Sequence, residues 1–331
     1  MRPFLGMSRN RAAAFERYIG IDYSGAETPT ASLKGLRVYM AECGAPPVEV
    51  LPPPSTRKYW TRRGIAEWLV ERLSEDRVTL VGIDHAFSFP LRYFEVHRLP
   101  PDWPAFLEDF QRHWPTDGEF VYVDFVRVGD VGNGAARGGN SRWRRLTDLR
   151  ARTPKSVFHF NVPGSVATST HAGLPWLRYI RQHVGERVHF WPFDGWRVGS
   201  GVARPPSPPA PLPRWGEGRR RMEDAPALTP TPSPALSPAL TPTLMPALTP
   251  ALSQGEREKR ARSVVLEVYP RLWSRGFATE GRTPDQHDAY SVAAWMQDTD
   301  RLGRLGEYLE PRLEPAERMI AQVEGWILGV R

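Results

Sequence analysis

Between residues 205 and 250, fourteen of the chain's 34 prolines fall in a run of Ala, Leu, Thr and Ser that includes PALTPTPSPALSPALTPTLMPALTPAL. Proline at this density removes amide donors and fixes φ, so neither helix nor sheet can propagate through it. The expected form over 203–262 is a solvated, polyproline-biased, disordered insert of low complexity. A docking site for a protein partner is the sharper alternative, but the repeat is rich in Leu and Ala and lacks a clear PxxP spacing. Whatever folds must therefore be built from two pieces, 18–202 and 263–331, with 1–17 as an N-terminal extension. Together they make roughly 270 residues, suited to one domain, and loop closure rises slowly enough with length for such a domain to carry the insert.

The insert also distorts the charge balance. The chain carries a formal +7 and a sequence pI near 9.7, which taken whole suggests a nucleic-acid partner. Nine Lys and Arg against five Asp and Glu fall in 203–262, leaving +3 for the remainder. Apolar residues at 40% and charged residues at 24% describe a globular composition, not a disordered one. A single cysteine, Cys43, excludes an internal disulfide framework and a four-thiolate metal centre within one chain. No run approaches the roughly 18 apolar residues of a membrane span. Residues 1–17 hold four arginines and no apolar block, so they do not read as a secretory leader. The expectation is a soluble, cytoplasmic protein with no membrane partner.

Outside the insert, strand and helix patterns alternate. Strands are predicted over 18–23, 36–41 and 48–51, with Gly44 and the Pro46-Pro47 pair between the last two. Ile65, Trp68, Leu69 and Leu73 follow helical spacing over 62–74, and the apolar run 78–84 reads as a buried parallel strand. Helices are predicted over 105–113, 174–183 and 316–328. The β-branched and aromatic runs 187–193 and 263–269 flank the insert as strands. This is an α/β domain with a mixed sheet flanked by helices. Three antiparallel strands, a crossover helix and a fourth strand parallel to the first is how an RNase H-like fold begins.

Three of these strands end in acids: Asp22 in Tyr18-Ile-Gly-Ile-Asp22, Asp84 in Leu80-Val-Gly-Ile-Asp84, and Glu267 in Val264-Val-Leu-Glu267. A carboxylate at the end of a buried strand is costly to desolvate and needs a cation, a metal or a donor beside it; singly, each could equally be a turn acid or helix cap. A fourth comes from a well-marked helix, in which Thr283-Pro-Asp-Gln286 forms a capping box and Ala289, Val292, Ala293 and Met296 form the packing face. Asp285 complements the helix dipole, whereas Asp288 immediately precedes the apolar stripe and is aimed at the sheet. Together Gly20-Ile-Asp22-Tyr-Ser-Gly25, Gly82-Ile-Asp84, Glu267-Val-Tyr-Pro270 and His287-Asp288-Ala289 resemble the motif set of the domain-of-unknown-function 429 family, described as predicted nucleases of RNase H fold. The 285–289 run is also similar to the last helix of Holliday-junction resolvases. The resemblance covers most of the chain outside the insert and implies a nuclease-like active site.

Such a cluster suits phosphodiester hydrolysis, in which two Mg²⁺ (or Mn²⁺) ions about 3.5–4 Å apart clamp the attacking and departing oxygens on hard oxygen ligands. On this reading Asp22 bridges both ions, Asp84 and Glu267 hold one apiece, and Asp288 completes the site. On the substrate side, Ser24 follows Asp22 in the first motif, while Arg142, Trp143 and Arg144, in a basic and aromatic run that ends at Arg145 after a glycine-rich loop, offer phosphate and base contacts. The bland alternative is a basic turn with its tryptophan in the core. Residues 165–171 could offer amides to a phosphate ahead of the 174–183 helix, and His171 and His287 could move protons. Two rivals remain open. One is an ATP-dependent phosphotransferase of the actin and sugar-kinase type, with Gly129-Asp-Val-Gly-Asn-Gly134 as a poor second phosphate loop. The other is a non-catalytic nucleic-acid-binding protein of the same fold.

Overall fold

The structure, a computed structural model, describes residues 13–42, 44–198 and 262–331. The proline-rich insert and Cys43 lie outside the described residues. Part of the segment expected to be an N-terminal extension belongs to the fold: Phe15 is buried, and its amide donates to Asp300 Oδ2 at 3.0 Å.

Strands β1 (Arg17–Asp22), β2 (Arg37–Glu42) and β3 (Val48–Glu49) form an antiparallel ribbon. Helix α1 (Arg62–Ser74), capped by Thr61 Oγ1 accepting from the Gly64 amide at 2.9 Å, crosses to β4 (Thr79–Asp84), which runs parallel to β1. Helices α2 (Leu91–His97), α3 (Trp103–His113), α4 (Val123–Val128), α5 (Leu146–Ala151) and α6 (Ala167–Val184) follow. The edge strand β5 (Val188–Phe190) and the inner strand β6 (Ser263–Glu267) are parallel neighbours, one on each side of the insert. Helices α7 (Pro284–Arg301), α8 (Leu305–Leu309) and α9 (Pro315–Glu324) close the chain. The sheet order is β3-β2-β1-β4-β6-β5.

Alternation along the strands sends successive side chains to opposite faces. Ile19, Ile21, Val81, Ile83 and Val265 pack with residues of α1, α3 and α6, such as Leu69, Phe106 and Leu177. Tyr18, Leu80, Val264 and Leu266 pack on the other side with Val292 and Met296 of α7. The sheet is thus covered on both faces, as expected for a largely parallel one. Two glycines set how closely α7 lies. A Cβ on Gly20 would run into the Ala289 carbonyl oxygen and stand 2.8 Å from the Ala293 amide nitrogen; one on Gly82 would stand 2.7 Å from Val268 Cγ1 and 2.9 Å from Val292 Cγ1.

The structure departs from expectation in several stretches; the strand expected over 187–193, for one, spans only Val188–Phe190. Residues 167–173 continue α6 toward its N-terminus instead of forming a loop, and Thr170, His171, Ala172 and Gly173 are buried. The predicted helix over 316–328 stops at Glu324, after which Ile327 makes a parallel bridge to Glu267. No helix among the described residues is long and apolar enough to cross a membrane.

Candidate active site

Asp22 and Asp84 close their strands as direct partners in the β1–β4 ladder. Each stands two residues beyond a glycine in the same register, Gly20 and Gly82, so both lie on the α7 face. That helix begins there. Thr283 and Gln286 cap it reciprocally (3.0 and 3.3 Å), and Gln286 Nε2 donates to Glu49 Oε2 at 2.8 Å, tying the first turn to β3. Asp288 precedes Ala289, the residue lodged against Gly20, so the contact that fixes the helix also fixes the third carboxylate.

Electrostatics links these acids to one another. Burial, then Asp84, Asp285 and Asp288, pushes the Asp22 carboxyl well above the usual aspartate range, with Arg37 opposing. Burial, then Asp288 and Glu267, does the same to Asp84. Asp288 is raised by burial and Asp285, against the pull of His287. All three residues are half-buried. None has a hydrogen bond or ion pair to its carboxylate among the described residues. Asp285, assigned from sequence to the helix dipole, is part of this cluster as well: its Oδ2 would lie 3.8 Å from a Cβ on Gly35, next to Ser24.

Glu267 does not join them. The ladder pairs it with Ile83, which places it on the opposite face from Asp84. Both its oxygens are taken by a forked ion pair, Arg145 Nη1 and Nη2 each donating at 2.6 Å, and the Phe87 amide adds a bond at 3.2 Å. Arg145 is itself buried and also pairs with Asp148 at 2.9 Å. The expectation of Glu267 as a metal ligand is corrected accordingly: it faces away from Asp84, and its charge is already committed to a buried guanidinium that would be left unpaired without it.

The substrate-side residues divide. Ser24 sits beside the acids, and its carbonyl is held by the buried Arg62, which also grips the carbonyls of Ala26 (2.5 Å) and Glu27 (2.9 Å). Arg142 is exposed. Arg144 is not offered to a phosphate, because its Nη2 donates to the carbonyls of Asp148, Arg152 and Pro154 at 2.6, 3.2 and 2.9 Å. Trp143 meets Phe158 edge-on at 6.0 Å and packs against the core, which is the bland alternative realised. His171 is wholly enclosed among Phe89, Phe110, Trp114 and Phe160, and burial draws its pKa down to about 3, so it stays neutral and away from solvent. His287 is buried beside Asp288 with Nε2 2.9 Å from the Ser274 carbonyl. In the 129–134 run, Gly132 packs on Pro115 and Gly134 on Trp114.

Sequence reasoning missed Arg37 and Arg62, and took Arg145 only as the end of the basic run after the glycine-rich loop. Nothing in their local pattern marks what they do, since each acts across the fold on a residue far away in the chain. A cavity of about 10 Å³ lined by Tyr23, Arg62, His85 and Trp176 lies on the opposite face, under α1 and α6, and suits one water.

Among the described residues, no three His, Cys, Asp or Glu side chains are gathered closely enough to hold a metal ion as they stand. The donor chemistry nevertheless fits Mg²⁺ or Mn²⁺. Both favour hard oxygen ligands, and Mg²⁺ is commonly held by only one or two carboxylates together with waters and substrate phosphates; unpaired carboxylates that repel one another supply such a partial set. Comparison with protein-family models, with curated protein sequences and with solved structures gave no match.

Proposed function

We propose that this protein is a metal-dependent nuclease that hydrolyses phosphodiester bonds at Asp22, Asp84 and Asp288. The observation that carries the reading is the placement of these three carboxylates, from two strand ends and one helix start, within electrostatic reach of one another, with no hydrogen bond or ion pair among the described residues to neutralise them. A cation is the partner such a cluster lacks. The β3-β2-β1-β4 half of the sheet and its crossover helix support an RNase H-like fold, and the motif resemblance to the domain-of-unknown-function 429 family points the same way. A cytoplasmic location and a nucleic-acid partner belong to this reading.

The chain's own residues would divide the work. Asp22 and Asp84, partners on one rung of the β1–β4 ladder, would hold Mg²⁺ or Mn²⁺, with Asp288 closing the third side from the helix. Bound there, the metal would supply Lewis-acid stabilisation of charge on the phosphate oxygens. Ser24, steadied through Arg62, would border the phosphate. Arg37, the ladder partner of Asp22, would temper the negative field. Glu267, neutralised by the buried Arg145, accepts from the Phe87 amide and so would steady the turn that follows Asp84.

The test is cleavage of labelled DNA and RNA, single- and double-stranded, by the full chain in Mg²⁺ or Mn²⁺ and in chelator. Metal-dependent cleavage is expected, falling about a hundredfold or more in Asp22→Asn with the fold retained. Cleavage that persists unchanged in Asp22→Asn would overturn the assignment.

A further inference from the structure

An acid site that works on a polyanion has to overcome its own repulsion, so positive charge is needed at its rim. The sequence suggested the 142–144 loop for that purpose, but two of its three residues serve the fold. The structure puts cations elsewhere. Two loops are laced together beside β2: the Leu33 amide donates to the Trp60 carbonyl at 2.9 Å, and Ser32 Oγ accepts from the Tyr59 amide at 2.9 Å and donates to its carbonyl at 3.2 Å. The lacing brings the turn carrying Lys34 alongside the segment carrying Arg57 and Lys58. All three side chains are exposed, and none has a carboxylate partner among the described residues.

This turn abuts the acids. Gly35 follows Lys34, and a Cβ there would stand 3.4 Å from Ser24 Cβ and 3.8 Å from Asp285 Oδ2. Tyr59 links the rim to the site. Lys58 Nζ lies 5.3 Å from its ring centroid and the Arg37 guanidinium 4.8 Å from it, and Arg37 is the ladder partner of Asp22. The Lys58 hydrogen bond, with the charges of Lys58, Arg37 and Lys34, draws the Tyr59 hydroxyl below its ordinary pKa, as expected where several cations crowd one spot.

We propose that Lys34 and Lys58, with Arg57 beside them, hold the phosphodiester backbone of a nucleic acid against the acid site. This rests on the nuclease reading and adds to it where the strand lies. Exposed lysines contact phosphate as point charges, so the binding is sequence-independent and salt-sensitive.

The experiment uses the full chain in the Asp22→Asn background, with fluorescence anisotropy on fluorescein-labelled single-stranded and duplex oligonucleotides across a salt series, in Mg²⁺ and in chelator. Lys34→Glu with Lys58→Glu is expected to weaken binding about tenfold or more, and to flatten the salt slope by roughly 0.7 per lysine on a single strand or 0.9 on a duplex. The comparison variant is Arg187→Glu, an exposed residue just ahead of the edge strand β5, which is expected to change neither quantity. Thermal melts check that the surface substitutions leave the fold intact. Unchanged affinity and slope in the double variant would overturn the inference, even if the wild-type chain cleaves. If no cleavage is found but the double variant still loses binding, the rim stands and the catalytic reading fails.

Discussion

At the scale of the residue, the tension in this protein is concentrated in three aspartates. Asp22, Asp84 and Asp288 all titrate above the ordinary 3.8. At pH below that value they are protonated in both folded and unfolded chains, and no penalty arises. As pH rises through 3.8 and on through their raised values, the unfolded chain ionises first and stability is lost. Asp84→Asn removes one of the repelling charges. In chelator at neutral pH it is expected to melt a few degrees higher than wild type, a gain of about 1–2 kcal/mol, and to lose less stability between pH 4 and 8. Mg²⁺ should raise the wild-type midpoint more than the variant's. A lower midpoint for Asp84→Asn in chelator would contradict the mutual repulsion inferred here. Asp22 and Asp84 were legible because each follows a Gly-Ile pair at the end of a β-rich run. Glu267 was not, because Leu266 and Val268 flank it with apolar residues and conceal which face it takes.

At the scale of the element, α7 is positioned by what two strands lack. Gly20→Ala would force the helix off β1, since the added methyl meets backbone atoms that cannot rotate away. We expect a loss of about 3 kcal/mol or more, at the upper end for overpacking, together with lost cleavage at temperatures where the variant remains folded, because Asp288 rides on the displaced turn. Unchanged melting would show that the helix can shift off β1 without cost. This helix was readable from its capping box and periodic stripe, and α1 from its spacing. The six- and seven-residue helices α2, α4 and α5 are too short to show a period. The start of α6 was hidden differently: its buried Thr170, His171 and Gly173 carry no apolar stripe, and Gly173 is there because the His85 ring lies 2.5 Å from where a Cβ would stand.

At the scale of the whole molecule, the described residues on both sides of the insert make one compact unit. Its strands β5 and β6 run parallel, so their connection must travel back along the sheet and needs a crossover of about a dozen residues. Replacing 203–262 by a Gly/Ser linker of roughly that length is expected to keep the melting midpoint within a few degrees and to leave Mg²⁺-dependent cleavage intact. Collapse of folding in that variant would show that the insert is structural. The alternation of strands and helices made the α/β class legible, whereas the reversed order of β5 and β6 in the sheet could not be read from adjacent runs. The parallel pairing has a last consequence. Because Asp22 and Asp84 occupy the same rung, the gap between their Cα atoms is governed by the strand spacing of about 4.8 Å. The aperture presented to an ion is therefore gauged by the backbone lattice, and tuning it would take a change of side-chain length, such as Asp84→Glu, and not a flexing of the scaffold.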